Sequence, residues 1–177
     1  MNVIKIFGEI TEYTFRDVLN SILDILKNEN TDKIIVLINS QGGRTDETNS
    51  IIDLFETIPN DIITVNLGKA ESAAGIIFIH GKERYIAKHA KFMMHCASTI
   101  FEKQTFSADG LAREQRNLQK VNKQLEEYLS TKTKLPKEMI REALSSNVGL
   151  TFDADECIKY GIATRTIENL DSILSNS

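Results

Sequence analysis

Five consecutive apolar residues, Ile34-Ile35-Val36-Leu37-Ile38, constrain this chain more than any other stretch. A strand with one wet face alternates apolar and polar positions. An unbroken, mostly β-branched run fits instead a strand buried on both faces, as in parallel sheets covered by helices. The flanking sequence agrees. Before the run, Phe15, Val18, Leu19, Ile22, Leu23 and Leu26 recur at helical spacing behind a capped start at Thr14, with an end expected near 28–30. After it, Ile51, Ile52, Leu54, Phe55 and Ile58 predict a second helix over 45–58, which Pro59 closes. Strand patterns at 3–7 and 61–67 and an apolar helix over 72–80 complete an alternation of strands and helices. That order predicts an α/β domain with βαβ repeats, right-handed crossovers and a mainly parallel sheet.

Two short strands follow at 84–87 and 91–95, then a long helix at about 107–131. Its apolar residues, Leu111, Leu118, Val121, Leu125 and Tyr128, form a narrow stripe. Such a stripe suits a projecting element that meets another surface, or a helix lying along its own domain; both stay open. Pro136 opens a short helix, Asp153 caps another that ends at Tyr160-Gly161, a closing strand is expected at 162–167, and 168–177 reads as a polar tail. The length of 177 residues fits one domain. A formal charge of −4 without a basic block argues against nucleic acid as partner. Two cysteines without paired spacing, and no cofactor motif, argue against a metal or cofactor; no leader or spanning segment is evident, so no membrane role and a cytoplasmic location are expected.

The chemistry concentrates around Ser72. The apolar strand before it breaks at Gly68, and an apolar segment of small residues resumes at Ser72, which reads as strand, tight turn and buried helix. A hydroxyl placed there is either the helix cap or a nucleophile beside backbone N–H groups that stabilise developing negative charge. A serine nucleophile needs a base and oxyanion donors. Of the three histidines, His95 alone follows an apolar strand at its carboxyl end, where sites gather in open α/β sheets. Gly42-Gly43 ends the 33–39 strand with backbone that can approach a ligand closely.

Five stretches carry a resemblance: Ile38-Asn39-Ser40-Gln41-Gly42-Gly43, Gly68-Lys69-Ala70-Glu71-Ser72-Ala73-Ala74-Gly75, Gly81-Lys82-Glu83-Arg84-Tyr85, Met93-Met94-His95, and Ala154-Asp155-Glu156-Cys157-Ile158-Lys159-Tyr160-Gly161. In order and spacing they resemble the proteolytic subunit of the Clp protease, a serine peptidase family, over about residues 4–167. The resemblance implies a ClpP/crotonase-like fold in one domain, 1–177, with a head of about 1–100 and 150–167 and a projecting handle helix of about 107–131. It implies a serine-type endopeptidase that works through an acyl-enzyme inside a chamber of two interdigitated seven-membered rings. Ser72 would be the nucleophile, His95 the general base, the N–H groups of Gly43 and Ala73 the oxyanion hole, and Gly42 part of the substrate strand. Peptide or unfolded protein would be the substrate, and a separate Clp ATPase or a paralogous subunit a partner.

Three features depart from the family pattern. The orienting aspartate falls at Asn147 when counted from Pro136, and at Gly149 when counted back from Tyr160-Gly161; Asn147 can hold an imidazole tautomer without supplying charge. Asp153 and Asp155 are nearby carboxylates that fit better as helix caps. Gln41 and Glu71 replace a proline and a small residue, and the chain enters its first strand without the family's leading gate segment. These departures motivate two other expectations: a catalytically weak structural subunit partnering an active paralogue, and a free-standing or phage-type processing protease. An acyl-CoA enzyme of the related crotonase fold is the least favoured expectation.

Overall fold

The computed structural model describes residues 2–27, 32–99 and 107–175. In chain order the elements are β1 (Val3–Ile10), α1 (Glu12–Leu26), β2 (Lys33–Gly43), α2 (Thr45–Thr57), β3 (Asp61–Glu71), α3 (Ala73–His80), β4 (Glu83–Ile86) and β5 (Lys91–Met94). They continue with α4 (Ala108–Lys132), α5 (Lys137–Ala143), β6 (Leu150–Phe152), α6 (Ala154–Lys159), β7 (Arg165–Thr166) and α7 (Leu170–Ser175). The strands form one sheet, ordered β1-β2-β3-β4-β7, all parallel; β5 pairs parallel with β3, and β6 antiparallel with β5. No helix among the described residues is long and apolar enough to cross a membrane.

The 34–38 run is buried on both faces. Ile34, Val36 and Ile38 join Ile62 in the larger core under the helices, while Ile35 and Leu37 join Ile63, Val65 and Ile173 on the other face. This is the period-two division of a strand. Each such buried aliphatic side chain contributes about 1.5–3 kcal/mol. The fifth member of that second layer, Ile173, comes from α7, which stands where a polar tail was expected. Two further expectations shift. Thr14 is the third residue of α1 rather than its cap: its Oγ1 accepts the Thr11 N–H at 3.1 Å and donates to the Glu9 carbonyl. The closing strand shrinks to β7, and the expected end of the first helix at 28–30 lies outside the described residues.

The largest correction concerns Gly68, which reads as a break and tight turn but lies inside β3. Gly42-Gly43 does end its strand, β2, which runs on past the expected 39 to Gly43. Close approach explains the glycines at both places. A Cβ on Gly68 would lie 2.7 Å from Asn39 Oδ1, and one on Gly43 would lie 2.3 Å from the Ile10 carbonyl oxygen, where β1 pairs with it. Between the pairs Ile38–Asn66 and Ser40–Ala70, β2 advances by two residues and β3 by four. The buried Asn66 secures this bulge: its Oδ1 accepts the Gly68 N–H at 3.1 Å and its Nδ2 donates to the Lys91 carbonyl at 2.9 Å. Bulges re-aim a strand. Here β3 leaves β4 after Asn66 and pairs with β5 from Lys69 to Glu71.

Helix α4 answers both readings of its stripe. Leu129 is fully buried and Tyr128 packs on the core, so the C-terminal half lies on its own domain. Leu111 is 49% exposed, so the stripe is open at its N-terminal end among the described residues.

Candidate active site

The bulge in β3 decides the site. By turning the strand toward β5, it sets Glu71 opposite Met93, and the Ser72 N–H donates to the Met93 carbonyl at 2.8 Å. His95 is the first residue beyond β5, so the register brings hydroxyl and imidazole into one neighbourhood. Ser72 itself holds φ 54° and ψ −124°, and is the only non-glycine residue with positive φ among those described. A side chain in this region costs about 1–3 kcal/mol and persists only where surrounding structure enforces it. Ser72 occupies the cap position of α3, yet its hydroxyl makes no capping hydrogen bond. Ser72 thus holds the cap position without capping, and its Oγ is uncommitted among the described residues on a strained strand-to-helix turn, the geometry of a nucleophile elbow.

Gly42 makes that turn possible. At φ 92°, a Cβ on it would lie 2.6 Å from the Glu71 carbonyl, 2.9 Å from the Ala73 nitrogen and 2.9 Å from Ser72 Cβ. Below the turn, Gly75 presses α3 onto the sheet, since its own Cβ would meet Phe92 at 2.9 Å. A cavity of about 80 Å³ opens above, lined by Ser72, Ala73, Gly43 and His95, with Val121 and Leu125 of α4 closing it. That volume is small beside the 300–1,000 Å³ of ordinary ligand pockets. Sequence reasoning missed Val121 and Leu125 as walls, although the apolar stripe of the helix was their signal.

Asn147 is not brought to the imidazole. Its Oδ1 accepts from the Cys96 thiol at 3.1 Å, and Cys96 N–H donates to the Ser146 carbonyl at 3.3 Å, which fixes the loop beside Cys96. His95 Nδ1 is buried and has no hydrogen-bond partner among the described residues. Position 149, the other count, lies directly against His95: a Cβ there would be 2.7 Å from His95 Cβ and 2.1 Å from the Met94 carbonyl. It holds a glycine at φ 63° and supplies no side chain. Asp153 caps α6, its Oδ1 accepting the Glu156 N–H at 2.9 Å. Glu71 projects with Lys69, their charges 4.0 Å apart, and is not among the residues lining the cavity.

At the far end of α3, His80 Nδ1 and the Tyr128 hydroxyl are 3.1 Å apart. Burial, then Lys132, holds the His80 imidazole below its ordinary value against the opposing Glu56; burial, then Glu56, pushes Tyr128 up to about 12. No group of three His, Cys, Asp or Glu side chains among the described residues is placed to hold a metal ion. A free hydroxyl, an imidazole and backbone donors around one cavity are the parts of acyl transfer.

The family model for the Clp protease matches residues 1–170. The ATP-dependent Clp protease proteolytic subunit 3 of Rhodococcus jostii (strain RHA1) is 32% identical over 143 residues, covering 79% of this chain and 68% of the relative. Subunit 2 of Frankia casuarinae is 28% identical over 167 residues, 93% of this chain and 74% of the relative. The proteolytic subunit of Lactococcus lactis subsp. cremoris is 24% identical over 169 residues, 94% of this chain and 83% of the relative.

Proposed function

The chain belongs to the Clp protease family, and on that footing we propose that it is a serine-type endopeptidase subunit cutting peptide bonds through an acyl-enzyme. The observation that carries this reading is the strained Ser72, its hydroxyl free of any capping bond, at the mouth of a cavity it shares with His95. Ser72 Oγ attacks the scissile carbonyl while His95 Nε2 takes its proton and later returns it to the leaving amine. The N–H groups of Gly43 and Ala73 receive the oxyanion. Gly42 keeps the backbone beside Ser72 clear of side chains, and the substrate lies extended along the end of β2.

The open N-terminal end of the α4 stripe, with Leu111 exposed, supports assembly by this helix into paired seven-membered rings that enclose the site. The relatives' names are those of ATP-dependent proteases, which supports a Clp ATPase that feeds unfolded protein to a cytoplasmic chamber. The test is labelling by a fluorophosphonate together with hydrolysis of short peptides. The assembled protein takes the label and cuts peptide, and Ser72→Ala does neither while assembling normally. Assembled protein that takes no label refutes the reading. One observation favours a second role: His95 Nδ1 has no partner among the described residues, and Asn147 is engaged by Cys96. An imidazole so placed suits a weakly active subunit that completes a ring with an active paralogue. In that case a mixed ring keeps its activity when Ser72→Ala replaces this subunit.

A further inference from the structure

The wall that carries His95 leaves the sheet at Met94, and residues 95–99 belong to no strand. A backbone segment without a ladder needs other partners for its N–H groups. Cys96 N–H finds the Ser146 carbonyl, and the Thr99 hydroxyl meets the Glu114 carboxylate. The tightest backbone tether of the three residues lies between them: Ala97 N–H donates to Asn122 Oδ1 at 2.7 Å.

Asn122 interrupts an apolar face. Leu118, Val121, Leu125 and Leu129 share one side of α4 with it, at the three- and four-residue spacing of a helix that meets a domain. The position is half-buried, where an amide must be hydrogen-bonded to be tolerated. Its neighbours Val121 and Leu125 close the Ser72–His95 cavity, so Asn122 holds the opposite wall at the same level. His95 hangs between anchors on both sides. Before it Met93 accepts the Ser72 N–H; after it Cys96 donates to Ser146 and, more tightly, Ala97 donates to Asn122. With Nδ1 unpartnered among the described residues, no hydrogen bond at that nitrogen orients the ring, so its placement leans on the backbone anchors.

We infer that Asn122 is a positioning residue for His95: as the acceptor for Ala97 N–H, it fixes the main chain from which the general base reaches Ser72. The inference rests on the reading of His95 as general base given above. It requires only an acceptor at position 122, so Asn122→Asp keeps the tether and Asn122→Ala loses it.

Two measurements on the full-length, assembled protein test this. Amide hydrogen exchange resolved at Ala97 is slow in wild type and in Asn122→Asp, and fast in Asn122→Ala. Peptide hydrolysis loses on the order of 10²-fold in kcat in Asn122→Ala, the scale of a roughly 1 Å misplacement. KM stays near the wild-type value, and Asn122→Asp restores kcat. Ala97 exchange unchanged by Asn122→Ala overturns the inference, as does an Asn122→Asp protein as slow as Asn122→Ala. A wild-type protein that neither labels nor hydrolyses refutes the peptidase reading instead, and the exchange arm is unaffected by that result.

Discussion

The strained turn at Ser72 makes a prediction with an inverted sign. Replacing alanine by glycine in ordinary structure destabilises by about 0.5–1 kcal/mol, because glycine loses more freedom on folding. At Ser72 the backbone sits at φ 54° and ψ −124°, a region that side chains avoid at a cost of about 1–3 kcal/mol. Ser72→Ala removes the hydroxyl and keeps the strain, whereas Ser72→Gly removes both. The hydroxyl makes no capping bond whose loss would confuse the comparison. Subtracting the glycine penalty from the strain leaves Ser72→Gly about 1 kcal/mol more stable than Ser72→Ala. For a chain of this length that raises the midpoint of thermal unfolding by roughly 2–4 °C. Both variants are unfolded by heat and by urea at equal protomer concentration. Equal midpoints, or Ser72→Gly below Ser72→Ala, refute the claim that function holds this turn against its own conformational preference.

Two further outcomes follow from the same geometry. Gly149→Ala places a Cβ 2.1 Å from the Met94 carbonyl and 2.7 Å from His95 Cβ at a positive φ. It loses about 2–4 kcal/mol in urea denaturation, while Val148→Ala, at a site 84% exposed, stays within about 0.5 kcal/mol of wild type; a Gly149→Ala protein as stable as wild type contradicts the contact. For His80, burial keeps the folded imidazole below the ordinary 6.5. As pH falls through 6.5 the unfolded chain takes up a proton that the folded chain refuses, so stability declines toward the lowered folded value. The urea midpoint of wild type therefore drops between pH 7.5 and 5.5 more than that of His80→Gln, and parallel pH profiles would count against a buried, neutral His80.

The alternation of strands and helices and the parallel sheet were legible in the sequence, because Ile34 to Ile38 can be hidden only by layers on both faces and the helical stripes between strands supply those layers. Ser72, His95 and Gly43 were also legible as candidates, since local composition marks strand ends and the start of a small-residue helix. What no local pattern contains is register. Gly68 looked like a turn because a glycine that bends a chain and one that admits a close neighbour are identical in sequence. Only the packed sheet distinguishes them, by placing Asn39 against Gly68 and Ile10 against Gly43. The same tertiary register swings β3 from β4 to β5 and so brings His95 toward Ser72. It also seats Asn147 on Cys96 and Asn122 on Ala97, two asparagines whose partners lie 51 and 25 residues away. Periodicity fixes which residues face inward; which distant group each polar side chain meets is decided by how the layers close.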